Sequence, residues 1–373
     1  MSAHPVERSA GVPASTGARG PARTLFHPDV LLLSLGTTRG LRIADGELAA
    51  MIRQAGASVA ITGTRIGATD RLRRGYPVND VVEAIAARRA LDAALRRHAP
   101  HTVIFSTTTA AMLASHIAVP FAVWMDSPAR LNRPGRHNAI LHLLERRALA
   151  RARLILPLSP PAIDALPRGA ARAIVVSPPI AEAPVRERAG EALVVAYTPD
   201  PKAKGLELLC AAWARARAPG VRLILTGIPP ERARAFLQRR RLSLPPALEL
   251  AGVLPQHEFR ALLGRARVFL SSARWEDFGQ APLEALDRGA ALVCAPAGGP
   301  FPALQIARRL APQFVAADRS PEALAGALEV ALAAGEPALA AYRRAAREEL
   351  EPYRPEALVR RLREEVLPTL LSI

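Results

Sequence analysis

Residues 271–296 read "SSARWEDFGQAPLEALDRGAALVCAP". The apolar run "RVFLSS" leads into this stretch as a short strand. The turn Phe-Gly-Gln-Ala-Pro follows, then the helical spacing of "LEALDRG" and a second apolar run, "ALVCAP". Strand, turn, helix and strand make a βαβ unit, and a helix between two strands implies that they lie parallel. Pro282 suits a first helical turn, so the helix is expected to start near Ala281–Pro282, with its free N–H groups facing the carboxyl edge of the sheet. Glu276 and Glu284 sit on either side of the turn. On these residues alone two readings stand. Either both carboxylates accept hydrogen bonds from a hydroxyl-bearing ligand, or Glu284 complements the helix dipole while Glu276 is solvated.

The unit recurs on both sides. Upstream, "VLLLSL" precedes a Gly-Thr-Thr-Arg-Gly loop and the helix "GELAAMIRQAG". "SVAIT", a helix at 80–98, "TVIFS", a helix at 108–117, "FAVWM", an Arg-rich helix at 137–152, "LILPLS" and "AIVVS" come next. The pattern pauses at the Pro- and charge-rich residues 177–192, which read as a linker. It resumes with "LVVAYT", "VRLILTG", "LELAGV" and "VFLSS", each followed by a helix, and Ser320 and Pro321 open a later one. The fold class is therefore α/β, with two Rossmann-like domains facing across a cleft. Residues 28–182 form the first and 183–352 the second, and the chain closes with an amphipathic stretch, 353–373. Residues 1–27, rich in Pro, Gly, Ala and Arg with no apolar segment of signal-peptide type, read as a disordered tail.

Composition narrows the function. The 373 residues carry a net charge of +17, and residues 1–180 hold 23 basic against 11 acidic groups, which points to an anionic contact surface. Aromatic residues are only 4% and do not cluster with Arg, which argues against nucleic acid. Cys210 and Cys294 lie in apolar patterns and read as buried free thiols, fitting a cytoplasmic setting. The eight His show no metal-ligand spacing.

The motif set of the second half resembles the donor-binding region of retaining GT-B glycosyltransferases, especially glycosyltransferase family 4. Its parts stand here as Ser271-Ser272, Glu276, Asp277-Phe278-Gly279, Pro282-Leu283-Glu284-Ala285, Gly289 and Gly298-Gly299. "KGLELLCAAW" and "LAGVLPQHEFRALLGRARVFLSS" match in order and spacing. The resemblance implies a last helix, 353–373, that crosses back to the first domain, a nucleotide-diphosphate sugar as donor substrate and no tightly bound cofactor. It implies that Glu284 binds the ribose, that Glu276 contacts the donor sugar and that amides around Phe278, Gly279, Gln280 and Ala281 meet sugar and phosphate. Lys204 then approaches the diphosphate, with Thr198 and Gly227 at neighbouring strand ends, and Val253 and Leu254 hold the base. A leaving diphosphate gains charge that something must stabilise. The sequence has no Asp-x-Asp, so the task falls to the helix N-terminus, Lys204 and Lys202, the only two lysines of the chain. One departure is that Thr198, Pro199 and Asp200 stand where the family has a diphosphate-binding Gly-Arg pair.

The first half should take the acceptor. Gly36, Thr37, Thr38, Arg39 and Gly40 form the loop after the first strand, and the resemblance implies contact with phosphate and acceptor; an ordinary strand-to-helix turn is the alternative. Asp126 follows a strand where relatives carry His, and either orients the acceptor hydroxyl or caps a turn. The expected reaction is metal-independent transfer of a sugar with retention. A GT-B nucleotide-sugar epimerase, or a weakened nucleotide-binding protein, are the alternatives. The helix "LHLLERRALARAR" is compatible with an anionic membrane surface.

Overall fold

The computed structural model describes residues 27–65, 77–114, 116–184 and 192–372. Its frame is two parallel sheets. The first contains β1 (Val30–Ser34), β2 (Val59–Gly63), β3 (Thr102–Phe105), β4 (Phe121–Met125) and β5 (Leu154–Pro157), in the order β2-β1-β3-β4-β5. The second contains β6 (Leu193–Tyr197), β7 (Arg222–Thr226), β8 (Leu248–Gly252), β9 (Val268–Ser271) and β10 (Ala291–Cys294), in the order β10-β9-β6-β7-β8.

Both faces of each sheet are covered, which is why strands such as "VLLLS" run four apolar residues in succession and are buried throughout instead of alternating. In β1, Leu32 faces helix Arg39–Gln54 through Leu48 and Ile52, while Leu31 and Leu33 face Leu91 and Leu149 on the opposite side. The chain end joins the first of these cores. Leu358, Leu362 and Val366 pack with Leu32 and Trp124 along a helix of three consecutive pieces, Pro355–Arg361, a π-helical turn Leu362–Val366 and Leu367–Leu371. A buried ion pair anchors the start of that return. Arg354 Nη1 donates to Asp287 Oδ1 at 2.6 Å and to the Ile180 carbonyl, while the Ala183 N–H donates to Asp287 Oδ2. Linker, second domain and returning segment thus meet on one carboxylate.

Two expected elements fall short. "AIVVS" makes a single bridge, Ala173 to Ile155 beyond the edge strand β5: the Val176 N–H still donates to the Pro157 carbonyl at 2.9 Å, but Pro157 has no N–H to give back, so the ladder stops there. The helix expected at 108–117 is only Thr108–Ala111, and the chain leaves it through i→i+3 bonds. Residues 1–26, and 185–191 of the linker, lie outside the described residues. Both cysteines are free and buried, and burial pushes each thiol up to about 12.

Candidate active site

In an open parallel sheet the strand order reverses at one point, and loops leaving the two strands there diverge to open a crevice at the carboxyl edge. In the second sheet that point lies between β6 and β9. The loop after β6 carries Lys204 and the loop after β9 carries Glu276; Lys204 Nζ donates to Glu276 Oε2 at 2.7 Å. Glu276 is 13% exposed, so it is not a solvated acid. Burial raises its pKa, and the ammonium of Lys204 opposes that rise.

Local geometry explains the glycines. Gly205 and Gly279 both precede a helix with left-handed backbone, at φ +66° and +74°. A Cβ at Gly205 would stand 2.2 Å from the Ser272 carbonyl oxygen, and one at Gly279 would stand 2.9 Å from Glu276 Cγ. The two loops are thus packed at backbone distance, and the Ser272 hydroxyl, 2.8 Å from the Lys204 carbonyl, ties them. A cavity of about 10 Å³, room for roughly one water molecule, remains between Thr198, Lys204, Ser272, Glu276 and Pro282.

Helix Gln280–Asp287 begins one or two residues earlier than the sequence suggests, which puts Glu284 at its fifth position, past the first turn. Phe278 and Gly279 are buried at its start, with Gln280 and Ala281 half-buried. Glu284 is paired: its Oε1 accepts from Arg260 Nε at 3.2 Å and Nη2 at 2.8 Å. Glu47, on helix Arg39–Gln54 of the first domain, faces the same group across the cleft. Burial raises its pKa, Arg260 opposes the rise and Glu284 adds to it.

Around the rim, Gly227 donates its N–H to the Gly252 carbonyl at 2.8 Å, and its lack of a Cβ, which would stand 2.7 Å from the Tyr197 ring, leaves that ring its place. Val253 is exposed and Leu254 half-buried. Asp200, where the resemblance expects a basic pair, folds its own loop. Its Oδ1 accepts the N–H groups of Lys202 and Ala203, an Asx-type turn, while the Lys202 side chain is exposed.

The first domain meets this site at Asp126 and Ser127. The Ser127 hydroxyl donates to Asp277 Oδ1 at 2.6 Å across the cleft, and Trp275 Nε1 donates to the same oxygen at 2.9 Å. Asp126 accepts the N–H of the adjacent Ser127 at 2.7 Å, a contact within one peptide. One side of it is open to cleft solvent, with protein close around the rest. That crowding, followed by the nearby Asp277, pushes its carboxyl up to about 7. The loop after β1 is shaped internally: Gly36 has φ +58°, Arg42 donates to its carbonyl, and Thr38 caps helix Arg39–Gln54 by accepting the Leu41 N–H. Thr37 is half-buried and Gly40 exposed; the Arg39 side chain is outside the described residues.

The structure therefore brings Lys204, Glu276, Gly279 and Glu284 to one crevice with Asp126 opposite. Sequence reasoning missed Glu47, Ser127, Arg260 and Asp277 as site residues. Asp277 and Ser127 adjoin residues that were singled out, which was a usable signal; Arg260 and Glu47 lie mid-helix and carry none. Among the described residues no three His, Cys, Asp or Glu side chains converge as a metal site.

Comparison with known proteins agrees with the two-sheet architecture. The arrangement is the GT-B fold. Residues 181–349, within the second domain, match the family profile of glycosyl transferases group 1. No curated protein matches the chain by sequence. Among solved structures, sucrose-phosphate synthase from Thermosynechococcus elongatus is similar at TM-score 0.70 and 17% identity, covering 90% of this chain and 97% of its own. The Anabaena protein HepE in complex with UDP and glucose is similar at TM-score 0.67 and 15% identity, covering 91% and 99%. A glycosyltransferase from Rickettsia africae follows at TM-score 0.68 and 12% identity, covering 94% and 99%.

Proposed function

We propose that the protein transfers a sugar from a nucleotide-diphosphate sugar to an acceptor, with retention and without a metal ion. The observation that carries this reading is the Lys204–Glu276 pair at the strand-order reversal, beside the N-terminus of helix Gln280–Asp287. Donor binding exchanges that contact: the ammonium turns to the diphosphate and Glu276 is released to the sugar hydroxyls. The helix N-terminus and Lys204 then stabilise charge as the glycosidic bond breaks, and the departing diphosphate assists attack from the same face. Glu284 takes the ribose. Arg260 beside it compensates for the arginine that the Thr198-Pro199-Asp200 strand end lacks. The base rests against Val253 and Leu254.

The acceptor, a glycan, a lipid-linked molecule or a small hydroxyl compound, approaches from the loop at residues 36–40 and from Asp126. In this reading 28–182 is the acceptor half, 183–352 the donor half and 353–373 the returning helix, all working in the cytoplasm. The HepE complex shows that a chain of this fold holds UDP and glucose, and the family of residues 181–349 supports the same class of donor here.

The test is a thermal-shift screen against UDP, GDP, ADP and their sugars, with and without EDTA, followed by transfer assays. One donor should raise Tm regardless of EDTA, and Lys204→Ala and Glu284→Ala should lose that shift. Lys204→Ala should lower transfer about 10²- to 10³-fold, the size expected for a preorganised donor to developing negative charge. A protein indifferent to every nucleotide would sink the reading.

A further inference from the structure

Helices Val78–Leu95 and Ala139–Arg151 cover one face of the first sheet, on either side of the single turn Thr108–Ala111. Ala84, Met112 and Leu141 pack together, so Met112, just after that turn, bridges the two long helices. Their outward faces share one pattern. On the first helix, Val78, Val81 and Ile85 recur at i, i+3 and i+7, and Arg88 and Arg89 continue the stripe. On the second, Ile140 and Leu143 come first, and Arg146 and Arg147 follow.

All five apolar side chains are more than a third exposed, and Ile140 is 73% exposed. The acids of these helices do the opposite. Asp80, Glu83 and Glu145 are buried, and Asp92 is held by His116 at 2.9 Å. The outer surface is therefore apolar at the helix starts and basic beyond, with no free carboxylate on either helix.

Its position is specific. The Arg133 guanidinium, on the segment after β4, donates to Asp80 at 2.8 Å and pins the first turn of helix Val78–Leu95 beside the loop that carries Asp126. Leu131, also over a third exposed, lies on that same segment. The apolar end of the surface thus borders the cleft mouth.

We infer that this face seats the protein on an anionic lipid bilayer, with the apolar side chains entering the headgroup boundary and the arginines on acidic headgroups. Charge decides the occupant. A second copy docking here would set Arg88, Arg89, Arg146 and Arg147 against their own equivalents, whereas an anionic surface satisfies all four. Docking in this pose presents the cleft to a hydroxyl carried at the membrane surface. The surface is independent of the donor-site reading, because vesicle binding needs no nucleotide.

Flotation of the full chain with vesicles of phosphatidylcholine, alone or mixed with phosphatidylglycerol, tests it. Binding should require phosphatidylglycerol and fall with salt. Arg146→Glu/Arg147→Glu should weaken partitioning more than about tenfold, given roughly fivefold per basic group near such a surface. Ile140→Ser/Leu143→Ser should weaken it at unchanged net charge, and Arg232→Glu/Arg234→Glu, on the second domain, should leave it intact. Because every substituted side chain is exposed, Tm should hold in all variants. Equal binding to both vesicles, no binding, or equal loss in the second-domain control would overturn the inference. So would a concentration-dependent dimer abolished by Ile140→Ser/Leu143→Ser, which would give the face to a second copy.

Discussion

The two halves of the molecule are built on one plan and differ at the same point of it. Each is a five-stranded parallel sheet with a strand-order reversal, between β1 and β3 in the first and between β6 and β9 in the second. At the second reversal stand an ammonium and a carboxylate, partly exposed and joined to each other, groups able to exchange partners with a ligand. At the first stand Ser34, Asp45 and Ser106, all buried. There the Ser34 hydroxyl donates to Asp45, and the Ser106 hydroxyl accepts the Leu35 N–H at 3.0 Å. One crevice is chemically open; the other is stitched shut by its own hydroxyls. Fold supplies the location of a site, and loop residues decide whether there is one.

The largest effect should come from separating the halves. Arg354 and Asp287 are 6% and 1% exposed, so Arg354→Ala leaves a carboxylate buried without its partner. Breaking such a pair costs about 3–5 kcal/mol. Calorimetry should show a lowered Tm, with the single transition splitting as linker and returning segment lose their common anchor. A variant that melts as one unit at the wild-type temperature would show that the apolar packing of Leu358, Leu362 and Val366 joins the halves unaided.

A second prediction asks whether the first crevice is structural only. Burial pushes the Asp45 carboxyl up to about 6 against the pull of its two serines, and its Oδ1 has no hydrogen-bond partner. A carboxyl raised in the folded state holds a proton that the unfolded chain releases near pH 4. The stability it lends is therefore present below pH 4 and is lost as pH rises to about 6. Denaturant titrations should show wild type losing on the order of 2–3 kcal/mol over that interval relative to Asp45→Asn. Nucleotide affinity should be the same in both proteins. If Asp45→Asn abolished donor binding, the contrast between the two crevices would fail.

The fold was legible because each strand and helix announces itself within a few residues. "VLLLS" needs no distant partner to be read as a strand covered on both faces, and Ser320 accepts the Ala323 N–H as a local cap. The site was legible only where local geometry and chemistry coincide, as at Gly279 between Glu276 and Glu284. Its remaining contacts span the chain: Lys204 to Glu276 across 72 positions and Ser127 to Asp277 across 150. Those depend on β9 lying beside β6 and on how the domains face, which no local pattern encodes. Arg260 shows the limit. Read alone it is one arginine on an amphipathic helix, and only the fold sets it against Glu284.

The smallest effect tests the seam where the halves meet. Asp126 belongs to the first and Asp277 to the second, and the Ser127 hydroxyl bridges them. With the Asp126 carboxyl pushed up to about 7, the facing arrangement keeps a proton that a free aspartate loses near pH 4. Raising pH from about 4 to 7 therefore weakens that arrangement, and above 7 the loss is complete. Asp126→Asn cannot ionise, so it should match wild type near pH 4 and exceed it at pH 8. Asp126 is open to cleft water, which screens the repulsion, so the gain should stay below about 1 kcal/mol, or roughly 3 °C in Tm, and shrink with salt. A gain of equal size at both pH values would mean that packing at the seam, not charge, separates the two proteins.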